Sequence, residues 1–275
     1  MKKFKKIYVE ITNICNKNCS FCPTSLRKKH EMTKEEFGIV IDKIKSYTNY
    51  VYLHIKGEPL LHSEFSNIIK KCNNENIKIN ITTNGTLIEK RKEILKKPII
   101  NQINISFHSY DDVEEIKNII NSCDEILQNN TNVNIVYRFW TFSKENEKFK
   151  NLVTLLCNHY NITNQKDDLL NLMNVKLKDR LYFNKDFEFE WPSLNNNIQK
   201  NEGFCYGLKT HIGILSDGTV VPCCLDQDGI INLGNIFEEN LKDILENKKT
   251  IKIIEGFKQN KRIEKLCQHC SFKKL

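Results

Sequence analysis

Three cysteines, Cys15, Cys19 and Cys22, fall within the stretch EITNICNKNCSFCP (10–23), spaced x3 and x2, and no fourth follows them. A structural zinc site closes four ligands and a disulfide takes two, so three clustered thiols point to other chemistry. In a loop, these spacings can wrap three corners of a 4Fe–4S cube and leave the fourth iron without a protein ligand. An open coordination position is what a reactive metal centre keeps. A zinc knuckle completed by His30 or His54 is the alternative reading of the same residues.

A second group lies towards the other end. From Cys205, twelve residues lead to Gly218 and four more to Cys223, and Cys267 and Cys270 form a C-x2-C pair. Four thiols from three stretches fit one fully ligated 4Fe–4S cluster. They also suit zinc, although a zinc ribbon more often shows two C-x2-C pairs. Adjacent Cys223 and Cys224 cannot easily hold the same cube. The glycine spacing favours Cys223, which leaves Cys224 as a spare, an alternative ligand or a buried thiol. The other three cysteines sit in or beside apolar stripes at helical spacing: Cys72 with Phe65, Ile68 and Ile69, Cys123 with Ile116 and Ile120, Cys157 beside Leu152, Val153 and Leu156. They read as small core hydrophobes. Eleven cysteines used in this way argue for metal or redox chemistry in a reducing compartment, against a disulfide framework.

These thiols need elements to hold them. Short β-type runs alternate with helical stretches through the first two thirds of the chain. Strands are expected at 6–12, 50–57, 78–85, 102–109 and 133–140, with a sixth at 180–184 or 187–191. Helices are expected at 33–47, opened by a Thr33–Glu36 capping box, from a Ser63 cap to about 72, from 85 to 97, at 112–127 and at 145–160. Such alternation implies parallel strands joined by right-handed crossovers. Five or six repeats are too few for a closed eightfold barrel. A partial (β/α)6 TIM-like barrel or a doubly wound sheet remains, and in both ligands gather at the carboxyl ends of the strands. The segment 161–201 reads as an irregular connector. From Gly203 a hairpin with SDGT (216–219) as its turn is expected. A short helix near 240–247 and a second ending near Gly256 follow. The division falls near residue 200, giving a core domain at 1–200 and a small auxiliary domain at 202–275.

The motif CNKNCSFC directly after a first strand resembles the signature of the radical S-adenosylmethionine (radical SAM) superfamily. Its companions are Phe21 just before the third cysteine, KGEPLLH (56–62), similar to that superfamily's Gly-Gly-Glu-Pro motif, TTNG (82–85) and ISFHS (105–109). The resemblance covers the whole chain. It implies that the open iron chelates the amino and carboxylate groups of S-adenosylmethionine (SAM). Gly57 and Glu58 would hold the amino group, Phe21 would face the adenine, and Ser106 would reach the ribose or the carboxylate. Arg138 would pair with the carboxylate, and Asn84 of TTNG would stand among these contacts. One departure is Lys56, which replaces the first glycine of the second-strand motif. The second cysteine group is similar to the twitch domain, a shortened form of the SPASM extension, so two 4Fe–4S clusters are expected. No catalytic side chain is assigned beyond the clusters; Asp226, Asp228 and His108 read as solvated or structural.

The resemblance implies an oxidoreductase or maturase that abstracts hydrogen with a 5′-deoxyadenosyl radical. Its expected substrate is a peptide or protein side chain, with a flavodoxin- or ferredoxin-type electron donor. A small-molecule or RNA substrate is the alternative within the family, and a non-catalytic iron–sulfur or zinc-binding protein the alternative outside it. The formal charge of +8 is spread along the chain and reads as a solvated surface, with nucleic acid as the weaker reading. No apolar run approaches the ~18 residues of a membrane span. Glu10 and Asn13 interrupt the opening segment before a secretory signal can form, so the expected location is the cytoplasm.

Overall fold

In a computed structural model, residues 3–110, 112–143, 146–188 and 190–271 are described. The elements in chain order are β1 (Lys6–Val9), α1 (Lys34–Ile44), β2 (Tyr50–Tyr52), α2 (Phe65–Asn74), β3 (Lys78–Thr83), α3 (Ile88–Leu95) and β4 (Ile100–Ser106). Then come α4 (Val113–Asn129), β5 (Asn134–Phe139), α5 (Glu147–Tyr160), α6 (Lys166–Asn171), β6 (Asn174–Lys178) and β7 (Leu181–Lys185). The last third adds β8 (His211–Ile214), β9 (Val220–Val221), α7 (Leu241–Glu246), α8 (Lys248–Lys258) and α9 (Lys265–Gln268). The fold is α/β, with parallel strands joined by helices in the manner of a partial TIM-like barrel. Among the described residues no helix is long and apolar enough to cross a membrane.

The chain forms two compact units. One comprises Met1–Asn16, Pro23–Ile79 and Phe189–Leu275; the other comprises Lys17–Cys22 and Asn80–Glu188. Strand β3 has residues in both. In the first unit β1 pairs in parallel with β2 (Ile7 opposite Val51) and with β8 (Ile7 opposite Ile212), and β9 returns antiparallel on β8. The expected hairpin is present and, beyond expectation, β8 extends the parallel pairing of β1. In the second unit β5 lies parallel to β4 and to β7, and β6 folds back antiparallel on β7.

Local chemistry explains the elements. The Thr33–Glu36 capping box opens α1, whose buried face is Phe37, Val40, Ile41 and Ile44. Asp112 and Asn146 cap α4 and α5 through side-chain oxygens, and Asn161 in the left-handed region (φ 54°) ends α5. Cys72, Cys123 and Cys157 are buried on α2, α4 and α5 among the apolar side chains, as their spacing predicts.

Some boundaries differ from expectation. Ser63 does not cap α2: Glu64 occupies that position without a side-chain capping bond, and Ser63 bonds Glu31 instead. Strands β1 and β2 stop at Val9 and Tyr52. The segment 161–201 contains α6 and the β6–β7 hairpin. Of the two candidates for a sixth strand, 180–184 corresponds to β7; residues 187, 188, 190 and 191 form no strand, and 189 lies outside the described residues. Helix α8 runs past Gly256 to Lys258.

Candidate functional site

In the first unit the segment after β2 grips the segment that leads into Cys15. Gly57 adopts φ +74°, and a Cβ there would lie 2.3 Å from the Thr12 carbonyl oxygen and 2.9 Å from that of Ile14. Only glycine permits both this conformation and this approach. The Glu58 amide then donates to the Ile14 carbonyl at 2.9 Å. The Glu58 carboxylate is buried and accepts from the Leu60 amide at 3.0 Å, capping the short turn Pro59–Leu61. Cys15 itself is exposed.

In the second unit the Cys22 amide donates to the Cys19 carbonyl, so the C-x2-C half of the motif is a tight turn. The Cys19 thiol donates to Ser109 Oγ at 3.4 Å. Lys17 donates to the Ser109 carbonyl and lies over the Tyr110 ring. The Phe21 ring meets His108 edge to face at 4.5 Å. Nδ1 of His108 accepts from the Trp140 amide at 3.2 Å, which leaves the ring proton on Nε2. Burial lowers the pKa of His108 to about 4, so the imidazole is neutral near pH 7.

The remaining expected contacts divide between turn-building and the ends of paired strands. Asn84 Oδ1 accepts from the amide and hydroxyl of Thr86, and the Asn84 carbonyl accepts from the Tyr110 hydroxyl. The Asn84 side chain therefore builds its own turn. Ser106 and Arg138 stand opposite each other in the β4–β5 register. The Arg138 guanidinium lies 4.7 Å from the Trp140 ring, and Trp140 Nε1 donates to Asn184 Oδ1. Trp140 thus orders both His108 and Arg138. Its place at the end of β5, where a parallel sheet presents its ligands, was the available sequence signal.

The second cysteine group lies wholly in the first unit. Burial, then the like charges of Cys224, Cys205 and Cys267, pushes the Cys223 thiol well up. Burial is also the main cause for Cys205 and Cys267, with Cys270 opposing ionisation of both. The Gly207 amide donates to Cys205 Sγ at 3.3 Å, and Arg262 Nη1 donates to the carbonyls of Cys267 and Cys270. Asp226 is buried and accepts from the Ile230 and Ile231 amides; Asp228 accepts from Ser25. Both therefore act as loop-building residues here.

Among the described residues no three or more His, Cys, Asp or Glu side chains close to metal-binding distance. The donor chemistry nonetheless fits iron–sulfur. Cys205 and Cys267 each lie within electrostatic reach of the other and of Cys223 and Cys270, and this burial and repulsion would be relieved by a bound cationic cluster.

Residues 9–156 match the Radical SAM superfamily, and residues 205–271 match SPASM, an iron–sulfur cluster-binding domain. A probable GTP 3′,8-cyclase of Methanocaldococcus jannaschii is 26% identical over 275 residues, spanning 84% of this chain and 89% of the relative. Among solved structures, BtrN in complex with AdoMet and 2-DOIA superposes with a TM-score of 0.66 at 20% identity, covering 99% of this chain and 95% of BtrN. Streptococcus suis SuiB bound to its precursor peptide SuiA gives 0.53 at 18% identity, covering 98% and 71%. The chain belongs to the radical SAM superfamily: it is an enzyme whose cofactors are S-adenosyl-L-methionine and two 4Fe–4S clusters.

Proposed function

We propose that this enzyme abstracts a hydrogen atom from a small polar molecule. The observation that carries this reading is the end-to-end match of fold with BtrN, whose structure holds AdoMet and 2-DOIA. The probable GTP 3′,8-cyclase of Methanocaldococcus jannaschii, covered over 89% of its length, supports a small substrate as well. The second reading is a peptide or protein side chain, favoured by the likeness to SuiB bound to its precursor peptide.

Cys15, Cys19 and Cys22 would hold the cluster that binds SAM, and Cys205, Cys223, Cys267 and Cys270 the auxiliary one, with the functional division near residue 200. When bound, the reduced cluster and SAM would supply one-electron chemistry for hydrogen abstraction from the substrate. The protein's own residues bind and orient. Gly57 keeps the backbone beside Ile14 close, Phe21 backed by His108 presents a ring to the adenine, and Arg138 held by Trp140 offers a cation to the SAM carboxylate. Ser106 offers a hydroxyl to the ribose, and the Asn84 turn shapes the rim. A flavodoxin- or ferredoxin-type protein would supply the electron.

The experiment is anaerobic reconstitution with iron and sulfide, reduction with dithionite, and assay for 5′-deoxyadenosine. Deuterium transfer into that product from deuterated 2-DOIA, nucleotide or peptide candidates then identifies the substrate class. An intact cluster that yields no 5′-deoxyadenosine would establish the non-catalytic alternative, and transfer from peptides alone would establish the second reading.

A further inference from the structure

Glu10, just beyond β1, is fully buried. Its carboxylate accepts from three distant parts of the first unit: the guanidinium of Arg27, the Lys56 amide at 3.1 Å and the Ser216 amide at 3.2 Å. Arg27 reaches two ways, because its Nε also donates to the Gln227 carbonyl at 2.8 Å. Close by, Ser25 Oγ donates to Asp228 Oδ1 at 2.7 Å, and Lys56 Nζ donates to the Pro23 carbonyl. Lys56, the departure from the glycine motif, therefore contributes its side chain to the same strap.

These bonds tie together two segments with different neighbours. Residues 23–28 directly follow the C-x3-C-x2-C motif. Residues 225–231 directly follow Cys223 and Cys224 and are folded by the Asp226 carboxylate on the Ile230 and Ile231 amides. Arg27 links them through the Gln227 carbonyl and anchors that link on Glu10. Its fork spans a buried carboxylate on one side and a main-chain carbonyl on the other, a task the single ammonium of lysine cannot copy.

We propose that Arg27 is a positioning residue that couples the segments following the two cysteine groups: filling the auxiliary site fixes residues 225–231, and through Gln227 and Arg27 this orders residues 23–28, which directly follow the SAM-side cysteines in the chain. The proposal rests on the assignment of Cys205, Cys223, Cys267 and Cys270 to a cluster, and on nothing about the substrate.

The test is amide hydrogen exchange of the reconstituted full chain, read at residues 24–30 by mass spectrometry, with iron content measured on the same samples. In the wild type, Cys267→Ala/Cys270→Ala is expected to lower the iron content and to speed exchange at 24–30 by about tenfold or more. In Arg27→Lys, which keeps a charge beside Glu10 but releases Gln227, exchange is expected to be fast with or without the auxiliary cluster. Ser25→Ala leaves the buried pair intact but removes both the bond to Asp228 and the acceptor of the Arg27 amide; it is expected to give an intermediate response. The KM for SAM rises in Arg27→Lys more than kcat falls. Reduced iron with unchanged exchange in the wild-type background overturns the coupling, as does a full response in Arg27→Lys. Unchanged iron in Cys267→Ala/Cys270→Ala overturns the cluster assignment and the coupling together.

Discussion

Replacing Gly57 by alanine puts the SAM-side geometry to a quantitative test. At φ +74° an L-residue costs about 1–2 kcal/mol. The added Cβ would sit 2.3 Å from the Thr12 carbonyl oxygen, a backbone atom that no side-chain rotation can move aside. Restoring ordinary contact at 3.4 Å requires a shift of 1.1 Å in the segment that leads to Cys15. That shift also breaks the bond from the Glu58 amide to the Ile14 carbonyl, worth about 1 kcal/mol. The sum, about 2–3 kcal/mol, corresponds to a loss of roughly 30- to 150-fold in affinity for SAM if it falls on binding. The assay is a SAM titration followed by the change in the electron paramagnetic resonance of the reduced N-terminal cluster, with iron content as a loading control. Gly38→Ala in α1, whose Cβ would meet nothing within 4 Å, is the control and is expected to be neutral or stabilising. Affinity for SAM within roughly threefold of the wild type in Gly57→Ala would refute the reasoning.

Two further outcomes follow from the same geometry. Cys223→Ala should lose the auxiliary cluster, cutting iron from about eight to about four atoms per chain, whereas Cys224→Ala should keep about eight; Cys224 packs instead against the core of Tyr8, Ile55, Leu215 and Val221. His108 is held neutral in the fold with its pKa lowered to about 4 from an ordinary 6.5, so the folded state binds fewer protons than the unfolded one between those values. Its contribution is present in full above pH 6.5 and is lost as pH falls towards 4, up to about 3 kcal/mol; urea titrations at pH 7 and pH 4.5 should show less acid loss in His108→Gln than in the wild type.

Much of the scaffold was legible because its signals are local. The capping box at Thr33 and the stripe Phe37, Val40, Ile41 and Ile44 define α1 from within the helix. The SDGT turn carries its own glycine at Gly218 (φ +84°). What escaped notice depends on partners far along the chain. Ser63 looks like a cap until Glu31 captures it. The β6–β7 hairpin lies in a polar stretch whose alternation is short, and β7 is fixed by pairing with β5. Among the candidate site residues, the cysteines and Gly57 are marked by spacing and by type. Glu10 and Arg27 are not, since nothing local marks a glutamate as buried or an arginine as a bridge over 200 residues to Gln227. Trp140 likewise shows its role only when its amide meets His108 and its ring meets Arg138.

The central claim is that the N-terminal cluster leaves one iron for SAM. It is tested most directly by electron–nuclear double resonance on the reduced Cys267→Ala/Cys270→Ala protein with SAM isotope-labelled at its amino and carboxylate groups. The account predicts hyperfine coupling from both labelled groups to the cluster. An intact, reduced cluster showing coupling from neither, with a nitrogen or oxygen ligand from the polypeptide in that place, would contradict it.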